Sequence, residues 1–522
     1  MSVSDAQDAV IIGAGPTGLA LAIALRQYGL GVTVVEKEPR TKREARASVV
    51  WQRALEVLRD LGCAHTFLAN GIQLNRAEMY LRGRRMGEHR VRPSGTPYPR
   101  PLSIEQDSME PLLVERLREL GTEVVWGTEA VAVRVHGHGA EVDVRGPGGT
   151  ARTLACRWVV GCEGSHSIVR RTLGVPFEGE RRENLQAVQI NAEADWKYGH
   201  DRDTTRIFVE HRMCLIADPR PGGGYRFFCF LRDPDPGVTA PPGPDEMRDI
   251  VARCVHDPGL QLMPTEPPWA DRARFHDRIA ASLRVGRALL VGDSAHLWAP
   301  IGGHGLNTGL RGAHNLGWKL AAVHHGWARE SLLDTYSAEQ RRTAQEVMRD
   351  MRRNILELPA GTPTLAMMRI VGPAVLASDR MNRRGQAILS DFIRNHRTSD
   401  LSTDSGPRRG GGALRAGDRL PDLPVLQGGR RRSLHDLLSY DRWTLLVLPD
   451  DGDAVGPGLR RVVDRYAVPA EAFHVRPVPD GSAVLPGGSL LFVRPDGHVG
   501  LRAGAEDGAA LDTYLGRWFT RR

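Results

Sequence analysis

The first 37 residues constrain the fold of this chain more than any other stretch. Residues 9–12 form a short apolar run of the kind found in buried parallel strands, and the run GAGPTG (13–18) follows at once. Residues 19–28 then have a helical pattern, and a second apolar run (32–35) ends at Glu36, eighteen residues after Gly18. A strand, a glycine turn, a helix and a second strand ending in an acid predict a dinucleotide-binding unit.

Each part of this motif has a mechanical role in binding a dinucleotide. Gly13 makes the tight turn, Gly15 lets the backbone approach a pyrophosphate, and Gly18 allows the helix to pack closely on the strand. Glu36 can accept hydrogen bonds from a ribose 2′-hydroxyl and would repel a 2′-phosphate. The predicted cofactor-binding residues here are Gly13, Gly15, Pro16, Thr17, Gly18, Glu36 and Lys37. The motif alone does not distinguish FAD from NAD.

Charge and cysteine usage exclude several classes of protein. The net charge of +8 is spread along the chain and aromatic residues make up only 6%, which argues against nucleic-acid binding. The six cysteines show no CxxC spacing, so we expect reduced cysteines and no metal site. No basic leader and no apolar run near the roughly 18 residues of a membrane span are present. These features predict a cytoplasmic protein.

Three further motifs point to a flavin. The stretch 157–171 (RWVVGCEGSHSIVRR) reads as a strand, a turn and a basic helix, and 287–296 (RALLVGDSAH) places Asp293 just beyond a buried strand. The stretch 300–309 (PIGGHGLNTG) is a glycine-rich turn that leads into a helix. An acid at a strand end can bind a polyol hydroxyl, and a helix N-terminus can present N–H groups to an electron-rich ring edge. Together they suit the ribityl chain and ring of FAD.

The chain as a whole reads as an α/β protein of several parts. We expect the first part of a Rossmann-type FAD-binding domain at 1–180, an inserted, mainly antiparallel β domain that binds substrate at 181–285, and completion of the FAD-binding domain with helices at 286–398. The polar, glycine-rich stretch 399–412 predicts a linker. Residues 413–522 are long enough for a separate α/β domain.

In these motifs the chain resembles the single-component FAD-dependent aromatic hydroxylases of the para-hydroxybenzoate hydroxylase type. Within that group it is most similar to polyketide and phenol hydroxylases with an extra C-terminal domain. The resemblance implies that Arg46 and Gln106 lie beside the flavin, that Glu163 belongs to a turn serving FAD and the nicotinamide donor, and that Asp293 binds the ribityl chain. It also implies that the flavin ring is contacted by Pro300, Gly303, Gly305, Leu306 and Asn307. Catalytic roles are implied for Arg46 and Pro300.

The chain departs from the family pattern at several of these positions. Glu163 stands where the family usually has Asp, His304 stands where Gln is frequent, and Arg311-Gly312 replace a common Gln-Asp pair. His304 is either a substrate-side group or a simple helix-start residue, and we favour the second interpretation. The resemblance also implies a thioredoxin-like C-terminal domain. Since no cysteine follows Cys254, that domain is expected to lack redox activity.

The resemblance implies a complete reaction. NAD(P)H, bound transiently, would reduce tightly bound, non-covalent FAD; O₂ would form a flavin C4a-hydroperoxide, and a hydroxyl group would pass to a phenolic, natural-product or polyketide-derived substrate. By strand alternation Tyr225 and Phe227 share one face of the β domain, and Phe228 and Phe230 share the other, so either face could line the pocket. The candidate substrate residues are Tyr225, Phe228, Phe230 and His304.

Other functions fit the same motifs. Baeyer–Villiger oxygenation or epoxidation uses the same fold, and a non-catalytic FAD-binding protein that docks through its C-terminal domain is a third reading. A flavin halogenase is disfavoured because no W-x-W pair occurs. The expected partner is a small aromatic substrate, with no nucleic acid and no membrane span, and a homo-oligomer is compatible with all of these readings.

Overall fold

The structure is a computed structural model that describes residues 7–41, 49–90, 92–352, 362–406, 414–449, 457–478, 484–485 and 487–522. The first part of the chain contains, in order, β1 (Gln7–Ile12), α1 (Pro16–Gln27), β2 (Val32–Val35), β3 (Val49–Val50), α2 (Gln52–Asp60), α3 (Ala64–Asn70), β4 (Ile72–Gln73), β5 (Arg76–Leu81), β6 (Arg84–His89), β7 (Leu102–Ser103), α4 (Gln106–Glu119), β8 (Val124–Val125), β9 (Glu129–Val135), β10 (Ala140–Arg145), β11 (Ala151–Gly161) and α5 (Ile168–Thr172).

The middle part contains β12 (Phe177–Asp195), β13 (Thr204–Glu210), β14 (Met213–Pro219), β15 (Tyr225–Arg232), α6 (Pro244–Val255), β16 (Gln261–Pro264), β17 (Ala270–Ala280), β18 (Arg284–Val285), β19 (Ala288–Leu290), β20 (His296–Leu297), α7 (His304–His324), α8 (Asp334–Arg352), α9 (Thr362–Ala377) and α10 (Asp379–Leu389). The last part contains β21 (Thr403–Asp404), β22 (Pro424–Gln427), β23 (Arg430–Ser433), β24 (Trp443–Leu448), α11 (Pro457–Asp464), β25 (Ala470–His474), β26 (Arg476–Pro477), β27 (Ser489–Val493), β28 (Val499–Gly504) and α12 (Gly508–Trp518).

The first sheet is largely parallel, with strand order β18-β19-β11-β1-β2-β8. β1 runs parallel to β2 and β11, and β11 runs parallel to β19. The four-residue apolar runs of β1 and β19 suit strands that are covered on both faces. The mixed α/β fold that the sequence predicts is therefore confirmed.

Helices α1 and α7 pack closely because small residues face each other. A Cβ added to Gly317 would lie 2.8 Å from Ala24 Cβ, and one added to Gly309 would lie 2.4 Å from Thr17 Oγ1. A glycine inside a helix costs about 1 kcal/mol relative to alanine, and here the close packing offsets that cost. The start of α1 and the start of α7 are thereby held side by side.

The inserted β domain is a second sheet with strand order β20-β17-β12-β15-β14-β13-β5-β6, and β16 pairs with β12. β5 and β6 (residues 76–89) join this sheet from the first part of the chain, because β5 pairs in parallel with the distant β13. Helix α6 covers one face of the sheet. Side chains of α8 and α9 cover the other face.

The C-terminal part is built on a mixed sheet of order β21-β28-β27-β24-β25. β24 runs parallel to β25 and antiparallel to β27. Residues 399–406, which the sequence assigned to a linker, pack on the C-terminal part. Thr403–Asp404 pairs with β28, and the buried Leu401 accepts a 2.9 Å hydrogen bond from Tyr514 Oη of α12. Residues 407–413 lie outside the described residues.

A buried polar junction joins the C-terminal part to α7 and α8. We define this junction as Glu339, Lys319, Arg494 and Asp496. Glu339 Oε2 accepts hydrogen bonds from Lys319 Nζ at 2.7 Å and Arg494 Nη2 at 3.0 Å, and Arg494 Nε donates to Asp496 Oδ1 at 3.0 Å. Trp318 Nε1 and Asn315 Nδ2 donate to Asp496 Oδ2 from α7. The C-terminal part is thus fastened to the helix that begins at the glycine-rich turn.

Candidate active site

The motif turns meet at one edge of the parallel sheet. Ile12 pairs with Val35 on one side and with Gly161 on the other, and Gly161 pairs with Leu290. These four residues stand at the carboxyl ends of their strands, so the turns that follow them lie next to one another. Ligands of open α/β sheets bind at this edge. The structure therefore brings together the first three motifs that the sequence singled out.

The three glycines of the first turn differ in their surroundings. Gly13 has a φ of +104°, and a Cβ there would lie 2.6 Å from the Cys162 carbonyl oxygen. A Cβ on Gly18 would lie 2.0 Å from the Gly13 carbonyl oxygen, whereas a Cβ on Gly15 would meet nothing within 4 Å. Gly13 and Gly18 are therefore required by packing. Gly15 instead leaves open space at the start of α1, where a pyrophosphate can approach.

The start of α1 has no side chain that caps it. Gly15 is the N-cap and has no side chain to accept a capping hydrogen bond. The buried Pro16 is the first helical residue and has no N–H that needs an acceptor, and no described side chain caps this helix end. Thr17 packs against α7. This helix end can donate to phosphate oxygens.

Glu36 is fixed beside the same turn. Its Oε2 accepts a hydrogen bond from the Ala14 N–H at 2.9 Å, and its Oε1 accepts one from the Glu38 N–H at 3.0 Å. The carboxylate is half-buried, while the neighbouring Lys37 is exposed. Each carboxylate oxygen can accept a further bond, so the residue remains able to bind a ribose hydroxyl.

Glu163 connects two of the turns. Its Oε1 accepts from Ser167 Oγ at 2.8 Å and from the Val169 N–H at 2.9 Å, and its Oε2 accepts from Ser294 Oγ at 3.1 Å. Ser294 Oγ in turn accepts from the Gly164 N–H at 3.0 Å. The carboxylate therefore joins the start of α5 to the turn that contains Asp293. Asp293 itself is exposed at this edge of the sheet.

The glycine-rich turn before α7 contains two successive residues in the left-handed region. Gly302 has a φ of +73° and Gly303 has a φ of +70°. Pro300, Gly305 and Leu306 are half-buried, and a Cβ on Gly305 would meet nothing within 4 Å. The backbone here can come close to a ligand, as it can at Gly15.

Asn307 is buried and anchors this turn to β3. Its Nδ2 donates to the Val49 carbonyl at 2.9 Å and the Gly303 carbonyl at 2.7 Å, and its Oδ1 accepts from the Trp51 N–H at 2.8 Å. Trp51 Nε1 also donates to the Gly302 carbonyl at 2.7 Å. The resemblance implies a place for Asn307 near the flavin, whereas no motif in the sequence pointed to Trp51.

Two other predicted flavin neighbours have different outcomes. Gln106 is the first residue of α4 and its Nε2 donates to Glu110 Oε1 at 2.9 Å. It follows β7, which pairs with the β3 strand that Asn307 anchors, so Gln106 is connected to the glycine-rich turn. Arg46 lies outside the described residues.

His304 faces a polar cluster. Its ring is fully buried, stacks on Trp51 with 6.3 Å between centroids, and places Nδ1 3.2 Å from Asp391 Oδ1. Arg311 Nη2 lies 3.6 Å from the other oxygen of the same carboxylate. Burial raises the pKa of Asp391, but Arg311 and His304 outweigh burial and hold that pKa below its ordinary value. Two departures from the family pattern, His304 and Arg311, thus share one acid.

The two faces of β15 pack in different apolar clusters. Phe228 and Phe230 belong to an apolar cluster that also contains Ala299 and Ile301, the two neighbours of Pro300. The other members of this cluster include Met86, Ile207, Ile216, Trp298, Val347, Met351, Leu365 and Met368. Tyr225 lies on the opposite face, where its ring packs 4.9 Å from that of Trp196 near α6. The structure therefore brings Phe228 and Phe230, and not Tyr225, to the glycine-rich turn.

His296 and Trp298 line the approach to Pro300. Their rings stack with 4.9 Å between centroids, and burial lowers the pKa of His296 to about 4. A neutral imidazole therefore stands here at neutral pH. Among the described residues, no group of His, Cys, Asp or Glu could hold a metal ion, and no helix is long and apolar enough to cross a membrane.

Comparisons with known proteins agree with this geometry. A family profile described as an FAD binding domain matches residues 6–351, and one described as the C-terminal part of aromatic-ring hydroxylases matches residues 414–521. A rifampicin monooxygenase from Streptomyces venezuelae is 31% identical over 98% of both chains. The solved anhydrotetracycline hydroxylase from Streptomyces rimosus is 30% identical, with a TM-score of 0.76 over 98% of this chain and 99% of that one. An aklavinone-11 hydroxylase, solved with FAD and aklavinone, is 25% identical, with a TM-score of 0.77 over 98% of each chain.

Proposed function

The chain belongs to the FAD-binding aromatic-ring hydroxylases and is a flavoprotein aromatic monooxygenase, and from this premise we propose that it hydroxylates a polycyclic phenol of polyketide type with NAD(P)H and O₂. The observation that carries the proposal is the position of Pro300. Its neighbours Ala299 and Ile301 belong to the apolar cluster, while Gly305, five residues later, has open space beside it at the start of α7.

The residues of this chain fit FAD at three points. Open space at Gly15 and the uncapped start of α1 suit the pyrophosphate, Glu36 suits the adenosine ribose, and Asp293 suits the ribityl chain. N–H groups at the start of α7 would donate to the ring edge and favour negative charge there. Bound FAD supplies the redox chemistry by which O₂ is activated and one oxygen atom reaches the substrate.

The nicotinamide donor is expected to bind transiently. The sequence has no second complete GxGxxG after a strand, so it offers no separate domain for a resident NAD(P)H. Glu163 and Gly164, which the resemblance assigns to donor binding, form part of the turn beside Asp293. A donor that approaches this turn would reach the cofactor edge of the sheet.

The apolar cluster indicates the chemistry of the substrate. Aromatic and aliphatic side chains from the sheet, α8 and α9 surround the approach to Pro300, and several of them are only partly buried. Such a wall recognises a flat, apolar ring system, with shape rather than charge deciding the fit. Relatives of about 30% identity bear names that specify rifampicin and anhydrotetracycline. Both names support a large multi-ring substrate over a simple phenol.

Oxygen incorporation tests this proposal. The purified enzyme, loaded with FAD, is mixed with NADPH or NADH, ¹⁸O₂ and a panel of tetracyclic and simple phenols. The expected result is faster NAD(P)H oxidation with a tetracyclic phenol, together with a product that has gained one ¹⁸O as a ring hydroxyl. Stimulated oxidation that yields only hydrogen peroxide would contradict the proposal. Formation of a lactone that carries ¹⁸O would show that the enzyme carries out Baeyer–Villiger oxygenation instead of hydroxylation.

A Phe228→Ala variant is expected to lose activity without losing FAD. Removal of the ring opens the apolar wall next to Ile301, and loss of one such contact costs about 1–3 kcal/mol of transition-state binding, or roughly tenfold to 200-fold in kcat/KM. Steady-state kinetics and the flavin absorbance of the purified variant measure both effects.

Tyr225→Phe is the matched control for the other face of β15. Tyr225 packs among Trp196 and Phe227, and its hydroxyl donates to the Gly199 carbonyl at 3.5 Å and interacts with Arg206. This variant is expected to retain its kcat/KM. If Tyr225→Phe impairs turnover and Phe228→Ala does not, the pocket lies on the opposite face.

The C-terminal domain is proposed to be thioredoxin-like in fold. The support is its central sheet, in which β24 runs parallel to β25 and antiparallel to β27, with helices α11 and α12 packed against each other. The chain has no cysteine after Cys254, so the dithiol chemistry of thioredoxin is excluded there. Its role is to support α7 through the polar junction.

A further inference from the structure

Helix α9 and the start of α10 leave a group of large apolar side chains largely exposed in the described part of the chain. Met367, Ile370 and Val371 are 60%, 79% and 49% exposed, and Val375 and Met381 are 39% and 48% exposed. We call these five residues the exposed face. They make up five of the eleven large apolar side chains that are exposed in the described part of the chain. The exposure is therefore concentrated in one place rather than scattered.

The opposite side of α9 is packed in the ordinary way. Leu365 and Met368 are buried in the apolar cluster near Pro300, and Leu376 lies against Gly87 of β6. These positions follow helical spacing and form the inward stripe of the helix. A helix that is apolar all round is normally buried on every side. The exposed face is therefore expected to be covered by a binding partner.

The charges around the exposed face are positive. Arg369 lies on α9 and Arg380, Arg383 and Arg384 lie on α10, whereas residues 362–389 contain a single acid, Asp379. All four arginines are exposed, and none has an acidic partner among the described residues. The four unpaired arginines therefore suit an anionic surface.

A second copy of the chain is a poorer match. A symmetric dimer would place the same face against itself and bring the arginines of both copies together with few acids to balance them. Phosphate groups of an anionic bilayer would instead accept hydrogen bonds from the guanidinium groups, while the apolar side chains enter the acyl boundary.

From this combination we infer that α9 and α10 form a docking site for the surface of an anionic lipid bilayer. The helix would lie in the membrane plane with the exposed face inserted and the arginines among the headgroups. Its inward stripe belongs to the apolar cluster, so docking would place α9 between that cluster and the lipid. The inference rests on the exposed face and its charges and does not depend on the reaction proposed above.

Vesicle flotation of the FAD-loaded full chain tests the inference. The probes are vesicles of phosphatidylcholine alone and of phosphatidylcholine mixed with phosphatidylglycerol. The chain is expected to float only with the anionic vesicles, and the binding is expected to weaken as salt rises. Absence of flotation with the anionic vesicles overturns the inference.

Two variants assign the binding to this site. Arg369→Gln/Arg380→Gln/Arg383→Gln/Arg384→Gln is expected to weaken binding roughly a hundredfold or more, because each basic residue near an anionic membrane contributes about fivefold. Ile370→Ser/Val371→Ser is expected to abolish insertion. Both changes lie on exposed positions, so circular dichroism and flavin content are expected to match those of the unmodified protein.

Matched controls lie elsewhere on the surface. Arg430→Gln/Arg431→Gln/Arg432→Gln removes three exposed arginines of β23, and Met263→Ser removes a side chain of β16 that is 54% exposed. Both controls are expected to bind vesicles as the unmodified protein does. An equal loss of vesicle binding in the control variants would mean that the binding is not specific to the exposed face and its arginines, and it would overturn the inference. The oligomeric state in solution is the last check. If the unmodified protein is a dimer and the Ile370→Ser/Val371→Ser variant is a monomer, the exposed face binds a second copy of the chain and the inference is overturned.

Discussion

A Gly15→Val variant is expected to fold normally and to lose its FAD. Gly15 has a φ of −71° and a ψ of 175°, an extended conformation that valine adopts readily, and the added side chain would meet no protein atom within 4 Å at its Cβ. That side chain would occupy the space at the start of α1 that the pyrophosphate needs. Steric conflict of this kind costs about 3 kcal/mol or more, which is at least a hundredfold in affinity.

The measurement is a titration of apoprotein with FAD, together with the ratio of flavin to protein after purification. Gly137→Val is the benign control, because a Cβ there also meets nothing within 4 Å and the residue lies in an exposed turn. Gly18→Ala is the opposite control, since its Cβ would lie 2.0 Å from the Gly13 carbonyl oxygen and would destabilise the apoprotein itself. Full FAD retention by Gly15→Val would refute the assigned pyrophosphate position.

A Glu339→Gln variant is expected to lower the free energy of unfolding by about 3–5 kcal/mol. The Glu339 carboxylate accepts hydrogen bonds from Lys319, Arg494, Asn315 and Ser399, and its side chain is 1% exposed. The variant would leave two buried cations with too little negative charge nearby, and breaking a buried ion pair in this way is strongly destabilising. Urea unfolding followed by circular dichroism measures the change.

Glu346→Gln on the same helix is the control for Glu339→Gln. Glu346 pairs with Arg342 one turn away, and both side chains reach solvent, so the change is expected to cost no more than about 1 kcal/mol. Similar losses in the two variants would mean that the polar junction contributes no more than an ordinary surface pair.

The same junction predicts how stability depends on pH. Burial raises the pKa of Glu339, but Arg494 and Lys319 outweigh it and hold that pKa well below its ordinary value. Because the unfolded chain then binds the proton more tightly, the junction stabilises the fold fully above pH of about 5, and the contribution is lost as pH falls below the ordinary carboxyl value of about 4.3. In the Glu339→Gln variant, the free energy of unfolding is expected to fall less steeply as the pH decreases below about 5.

Local sequence patterns were sufficient where a strand, turn and helix follow one another in the chain. The residues 13–18 predicted both the tight turn at Gly13 and the close packing at Gly18, and the run before Asp293 predicted β19. These features depend on neighbours within a few positions, so sequence periodicity and glycine spacing report them directly.

Long-range pairing could not be predicted in the same way. β5 joins the second sheet beside β13, more than a hundred residues later, and Thr403–Asp404 is too short to show any strand periodicity. The helix α6 inside the β domain was also missed. Alternation along β15 gave two equivalent faces, and only the packing of Ala299 and Ile301 distinguishes Phe228 from Tyr225. The acid that His304 and Arg311 share, Asp391, lies some eighty residues beyond them and had no signal of its own.

The polar junction also limits how this chain can be recombined with its relatives. Arg494 and Asp496 come from the C-terminal domain, yet they complete a charge set whose other members lie on α7 and α8. A chimera made by exchange of residues after the stretch 399–412 would therefore take the two halves of one buried network from different parents. Functional hybrids are expected only when the crossover carries residues 315–339 and the C-terminal domain from the same parent.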